Sequence, residues 1–434
     1  MRTIWQTLRR QRDLRLLLGA GLVSLTGDWI LRVGLAYHIY VLTGSTLASS
    51  LMMLASFLPQ VLLGSVAGVF VDRWDRRHTM VVANVLLGIG LVPLPLVDTS
   101  GRVWVIYVVM LWEGCVQQFF TPAEQSLTPA LVPDERLVTA NALNGQTQDV
   151  ARLLGSAVGG VAVAAGGLTL LTLVDGASFL VAAALIARVR TGGRPVEQAR
   201  LDSASTESLR RRMHALRVEW AQGLRLSTHQ RVLRVILVFS LVTSIGQGIM
   251  GTLFAPFVHD ALHGSGRTYG VIVSVQAVGG ILGGLVAASL SDRVPASRLF
   301  GWGAVAFGAI DLVMFLYPLG YAAAWPAVVC MVLVGVPGAL SRAGAMTLLQ
   351  RHIADSHRGR VFGALGAVEG AAVVVGTLVA GFLGETIGII PVLAVQGGGY
   401  LLAGLAVAIT LRHDVETPTS RTTEQDRRPD VRTA

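Results

Sequence analysis

The chain has 434 residues, 53% hydrophobic and 14% charged, with a formal charge of +9 and a mean hydropathy of +0.61. That balance excludes a soluble globule of this length and leaves a polytopic membrane protein. Its 35 basic residues are all arginine, set between apolar runs and in the tails without interleaved aromatics. This pattern excludes a nucleic-acid surface in favour of anchoring at one membrane face.

At the N-terminus, Arg2, Arg9, Arg10, Arg12 and Arg15 precede an apolar run that continues to Leu42 without a small-residue cleavage site. It is therefore expected to be a retained first span and not a signal peptide. Runs of about 19 or more apolar residues predict twelve helices. They fall at 14–42, 48–71, 79–97, 102–121, 138–164, 168–188, 232–258, 269–290, 298–318, 323–342, 361–384 and 387–411. Loops from odd to even spans contain a single arginine, Arg267, with Arg102 beside another, whereas even-to-odd loops and both termini hold nearly all the rest. The positive-inside rule then puts both termini in the cytoplasm of an inner-membrane, multi-pass protein.

Between spans two and three, Gly68, Asp72, Arg73, Asp75, Arg76 and Arg77 make a dense charged turn, expected at the cytoplasmic face. Residues 189–231 form the longest interruption and divide a six-helix half, 1–188, from a second, 232–412. Within this linker Leu209, Met213, Leu216, Trp220 and Leu224 recur at helical spacing opposite Arg210, Arg211, Arg212, Arg217 and Arg225. That pattern predicts an amphipathic helix on the inner leaflet, contacting lipid headgroups. The polar tail 413–434 has no periodicity and is expected to be disordered.

The two halves are internally related. At a shift of 220 residues Thr43-Gly44-Ser45 meets His263-Gly264-Ser265, Gly64 meets Gly284, and Asp72-Arg73 meets Asp292-Arg293. At 221, the stretch from Leu154 to Gly160 meets that from Val375 to Gly381, and Ala142-Leu143 meets Ala364-Leu365 at 222. Each shift spans six helices, so the copies are parallel. Parallel six-helix halves related about the membrane normal are the architecture of major facilitator transporters, with the substrate site near midplane between them.

The turn Gly68, Asp72, Arg73, Arg76 and Arg77 resembles the motif between helices two and three of the major facilitator superfamily, and Asp292-Arg293 with Arg298 resembles its degenerate second copy. The resemblance covers roughly 14–411. Further features are similar to the branch containing macrolide efflux and enterobactin export proteins: Gly27-Asp28, Phe120-Thr121-Pro122-Ala123, Leu131-Val132-Pro133 with Leu137, and Ala140-Asn141-Ala142-Leu143. The resemblance implies an all-α fold of twelve transmembrane helices, a cytoplasmic gate at the charged turns, and exchange of substrate against an ion. Two departures stand out. In helix five, Gly155, Gly159 and Gly160 match the antiporter signature, but Ser156 replaces its proline. Helix four carries Glu113 and Gln117 where drug/proton antiporters often carry an arginine, so their proton path does not transfer.

An ionisable side chain in hydrocarbon costs at least about 2.5 to 3.5 kcal/mol on insertion scales, so such residues need a partner or water. Asp28 and Arg32 lie one turn apart in helix one and are read either as a protonation site with its competitor or as a self-neutralising pair. Glu113 near Gln117 and Gln118, and Glu369 at the repeat position of Gln148, are candidate cavity charges. Asp149 with Arg152 is expected to be a gate or packing pair. Asp175 and Asp311 are lone acids without a visible partner. Trp29, Tyr37 and His38 are candidates for contact with a lipophilic ligand, and helix packing explains them as well.

Cys115 and Cys330 lie in separate halves and imply neither disulfide nor metal site. The glycines recur on apolar helices and not in a strand–loop–helix phosphate motif, so no nucleotide cofactor and no enzyme is expected. The expected function is proton-driven export of lipophilic or amphipathic small molecules by a monomer in the bilayer. The alternatives are uptake or lysophospholipid movement on the same fold, or a sensor or scaffold that transports nothing.

Overall fold

The computed structural model describes residues 11–71, 74–133, 136–190, 225, 228, 230–290, 293–353 and 358–412. In order, the helices are α1 (Arg12–Thr43), α2 (Thr46–Val71), α3 (Arg76–Gly90), α4 (Trp104–Leu127), a 51-residue stretch Leu137–Ala187, α7 (Arg231–Pro256), α8 (Gly266–Leu290), α9 (Ala296–Leu316), α10 (Trp325–His352), α11 (Arg358–Thr386) and α12 (Ile389–Thr410). The long stretch breaks at Gly167, where φ is 55° and ψ is −149°. It is therefore two helices, α5 (137–166) and α6 (168–187). Ten stretches among the described residues, with α5 and α6 taken together, are long and apolar enough to cross a membrane.

These segments are helical because hydrocarbon offers no partner for a backbone N–H or C=O, and a helix satisfies its own. Their ends carry local signals. Gly44, at φ 63°, closes α1 with its N–H on Tyr40 O at 2.7 Å. Asp75 caps α3 by accepting from His78 N at 2.8 Å. Apolar runs mark where lipid contact ends, not where the helix ends. Accordingly α4 and α10, expected to stop at 121 and 342, continue to Leu127 and His352.

The expected loop at 165–167 shrinks to a single glycine, because only a residue without Cβ adopts that backbone readily. Gly167→Ala should therefore destabilise the protein by about 1 to 3 kcal/mol. A lowered thermal midpoint in detergent would show it, and an unchanged midpoint would mean that the turn relaxes.

Helix pairing repeats between the halves. In the first, α1 packs on α5 and α6, α2 on α4, and α3 on α4 and α6; in the second, α7 packs on α11 and α12, α8 on α10, and α9 on α10 and α12. Across the halves α2 meets α11 and α5 meets α8, which are again equivalent pairs. One apolar core, including Leu35, Ile39, Leu94, Phe254, Phe257 and Phe315, joins both halves at the end of the bundle remote from the termini.

The amphipathic segment 209–224, the tail from His413, and Asp72, Arg73 and Asp292 of the charged turns lie outside the described residues. Of the proposed gate, Arg76 donates to Ser126 O at 3.0 Å, Arg77 donates to Ala187 O, and Arg293 is exposed. Gly68 falls within α2.

Candidate transport site

Three acids and one arginine converge inside the first half. Asp28 of α1 is 3% exposed, Glu113 of α4 is 4% exposed and Asp175 of α6 is fully buried. Arg32, whose side chain is 49% exposed, reaches Glu113 Oε1 at 3.3 Å. Arg32 thus pairs across helices with Glu113, and not within α1 with Asp28 as the one-turn spacing suggested.

Asp28 keeps an unpartnered buried Oδ1. It lies within electrostatic reach of Glu113, Arg32 and Asp175. Asp175 is not the lone acid its sequence context implied. It accepts from Ser178 Oγ at 3.1 Å and lies so close to α1 that a methyl group at Gly27 would be 2.3 Å from its Oδ1. The Gly27-Asp28 pair is therefore a steric requirement: the glycine admits Asp175 beside Asp28. One guanidinium cannot balance three carboxylates, so two negative charges remain uncompensated unless protons bind.

Other candidate residues surround this cluster. Gln117, one turn beyond Glu113, is half-buried with an unpartnered Oε1. Arg152 lies 5.3 Å from the centre of the Trp29 ring and donates to Gln276 of α8, so its hydrogen-bonding partner is in the opposite half and not the neighbouring Asp149. Trp29 in turn packs on Gly155, where a methyl group would lie 2.5 Å from the Trp29 Cβ. Gly159 abuts the Ile30 backbone, while Ser156 is buried with an unpartnered hydroxyl. Glu369 is half-buried on α11.

The ends of the bundle differ sharply. Toward the termini, Gly145, Gln146, Gln148 and Asp149 of α5 are all exposed, and Gly145, Gly363, Gly366 and Gly370 have nothing within 4 Å of a built methyl position. That end is therefore loosely packed at these positions. At the remote end the halves pack closely: a methyl group at Gly160 would lie 2.1 Å from the backbone Gly266 O, and one at Gly381 2.2 Å from the side-chain Ser50 Oγ.

Polar latches line that seam. Tyr37 OH donates to Gly264 O at 3.0 Å, and Thr46 Oγ1 donates to Gly381 O at 2.9 Å. Ser45 Oγ and Leu47 N, the latter at 3.2 Å, donate to Glu385. Tyr40 OH donates to Asp260, whose other oxygen lies 2.7 Å from His259 Nδ1 in the π-helical turn Phe257–Ala261. Tyr37 is therefore engaged in the seam. Tyr40, Asp260 and Glu385 did not stand out in the sequence, although Tyr40 and Asp260 are 220 residues apart. In a parallel repeat, equivalent positions near the pseudo-twofold axis face each other, so the repeat shift itself was the available signal.

Asp311 of α9, 3% exposed, also has a partner, because Gln396 Nε2 of α12 donates to it at 2.9 Å. Gln396→Leu leaves that carboxyl without its hydrogen bond and should destabilise the protein by about 1 to 3 kcal/mol. A thermal midpoint in detergent that equals wild type would show the bond to be dispensable.

Two parallel six-helix bundles closed against each other at one end, with buried ionisable groups inside the first, define a major facilitator transporter, a multi-pass membrane protein. A family model described as transmembrane secretion effector matches residues 3–431, and the chain belongs to that family. Among its relatives, macrolide efflux protein A of Streptococcus pyogenes is 24% identical over 369 residues, 85% of this chain and 88% of that protein. The multidrug efflux pump Tap of Mycobacterium tuberculosis is 27% identical over 391 residues, 86% and 87%. Among solved structures, a bacterial homologue of the iron transporter ferroportin in an inward-facing state superposes with a TM-score of 0.72 at 16% identity, covering 92% of this chain and 98% of that one.

Proposed function

We propose that this protein exports lipophilic or amphipathic small molecules from the cytoplasm in exchange for protons, by alternating access. The observation that carries the reading is the cluster of Asp28, Glu113 and Asp175 served by a single guanidinium, Arg32, which is itself half-exposed. A proton entering the cluster removes a poorly compensated negative charge, and a proton leaving restores it. Such a site changes the relative energies of two conformations if its burial differs between them.

With the termini cytoplasmic, as the arginine distribution argues, we read the loosely packed end as an inward-facing cleft, and the seam seals the outside. Substrate then enters from the cytoplasm and the bilayer's inner leaflet. Trp29 and Gln117 offer an aromatic face and a hydrogen-bonding amide near the charges. The macrolide and multidrug relatives support this substrate class, and the charged turns with Arg76, Arg77 and Arg293 would close the cytoplasmic side in the other state.

The test is accumulation of dyes and macrolides in efflux-deficient cells expressing the full chain, with and without a protonophore. Lower accumulation that the protonophore reverses is the expected result. Equal accumulation with and without the protein across the panel would reject export.

A further inference from the structure

At the termini-bearing end of the bundle, the start of α9 and the end of α12 enclose a groove of about 480 Å³. Arg298 and Arg412 lie at its polar rim, and Trp302, Leu405 and Ile409 form its wall. Neither arginine makes an ion pair among the described residues, and both are exposed. Trp302 is 60% exposed and Ile409 71% exposed, although each belongs to a helix that crosses the membrane. Two guanidinium groups without an ion pair among the described residues, above an apolar wall with a tryptophan at its edge, match the layers of a lipid: phosphate, interface, acyl chain.

The internal repeat supplies a comparison within the same molecule. At a shift of 221 residues Arg298, Trp302 and Ala408 correspond to Arg77, Val81 and Ala187, which line the smaller groove, about 380 Å³, between α3 and α6. There the arginine is occupied, because Arg77 donates to Ala187 O at the end of α6. Asp75 also lines that groove and adds a negative charge, and no tryptophan is present. In the second half the equivalent of Asp75 is Ala296, and Arg231 of α7 has taken over the carbonyl at the end of α12, donating to Thr410 O at 2.8 Å. The two halves thus present corresponding grooves with different linings. One copy is self-satisfied; the other has alanine in place of the acid, carries a tryptophan, and presents two arginines without an ion pair among the described residues.

We propose that the α9–α12 groove is a binding site for an anionic glycerophospholipid. Its phosphate lies between Arg298 and Arg412, and an acyl chain runs over Trp302, Leu405 and Ile409. Guanidinium recognition of a phosphate is bidentate and directional, which distinguishes the site from the general attraction of arginines to a negative leaflet. The lipid would bridge α9 and α12, the two helices of the second half that close against each other behind the cleft.

The test is native mass spectrometry of the purified full chain in detergent, titrated with phosphatidylglycerol or phosphatidylcholine. Wild type should retain phosphatidylglycerol at least about tenfold more tightly than phosphatidylcholine, and Arg298→Gln with Arg412→Gln should abolish the difference. Arg351→Gln removes an exposed arginine at the same end of the bundle but outside the groove, and should leave the affinity within about twofold of wild type. Millimolar inorganic phosphate should not displace the lipid; displacement would make the groove a phosphate site. Should the double variant fail to fold, Arg412→Gln alone, beyond the end of α12, should weaken retention about threefold or more. Unchanged affinity in the groove variants, or equal weakening by Arg351→Gln, would overturn the proposal. Because the readout is binding, it stands or falls separately from export.

Discussion

Asp28→Asn should reduce protonophore-sensitive efflux at least about tenfold, equivalent to about 1.4 kcal/mol in the transport cycle. The substitution keeps the size and polarity of a 3% exposed side chain and removes its ability to exchange a proton. Proteoliposomes would separate coupling from binding: net export against a gradient should fail, while exchange of labelled for unlabelled substrate should continue. Loss of both would mean that Asp28 binds substrate instead. Glu113→Gln provides the contrast. It removes the charge of Arg32's 3.3 Å partner but leaves an amide oxygen that can accept, and Asp28 and Asp175 still face the guanidinium, so transport should fall while yield stays near wild type.

The second large effect is expected at the seam. In Gly160→Leu a four-carbon side chain must enter where even a methyl group would sit 2.1 Å from Gly266 O and 3.0 Å from the Gly270 Cα. Both neighbours are backbone and cannot swing aside, so the closed seam should become inaccessible and transport should fall by tenfold or more, again about 1.4 kcal/mol at the least. Spin labels at Leu47 and Ile387, both exposed near the Glu385 latch, should move apart in the variant. Wild-type label distances with wild-type transport would show that α5 and α8 do not need this contact.

The fold was legible because hydrocarbon imposes a strong rule on composition. Long apolar runs and arginine-rich interruptions marked the helices, and the 220-residue repeat supplied their arrangement. Partners were a different matter. Arg32 is one turn from Asp28 in sequence, yet its ion pair is with Glu113, 81 residues away on α4. Asp311 looked solitary for the same reason, since Gln396 comes from another helix, whereas the partner of Asp175, Ser178, lies on the next turn of its own helix and was within reach of the sequence. The glycines of α5 were visible as a motif. What each one touches, α1 for Gly155 and Gly159 but α8 for Gly160, required the three-dimensional arrangement.

The closeness of that seam has an electrical consequence. Where glycine backbones meet at Gly160 and Gly266 there is no room for a chain of water molecules; in the alternating-access cycle proposed above, solvent lies on the other side. An insulating plug in series with a conducting vestibule concentrates the transmembrane voltage across the plug, where each elementary charge experiences about 2.3 kcal/mol per 100 mV. Tyr40 lies twelve residues, about 18 Å of helix, beyond Asp28. The carboxylate cluster therefore rests near the potential of the cleft side while the seam is shut. In the proposed cycle, opening of the seam and closure of the opposite side would relocate the field past the cluster without any charge having to travel the full membrane thickness. Membrane voltage would then act chiefly on the conformational step.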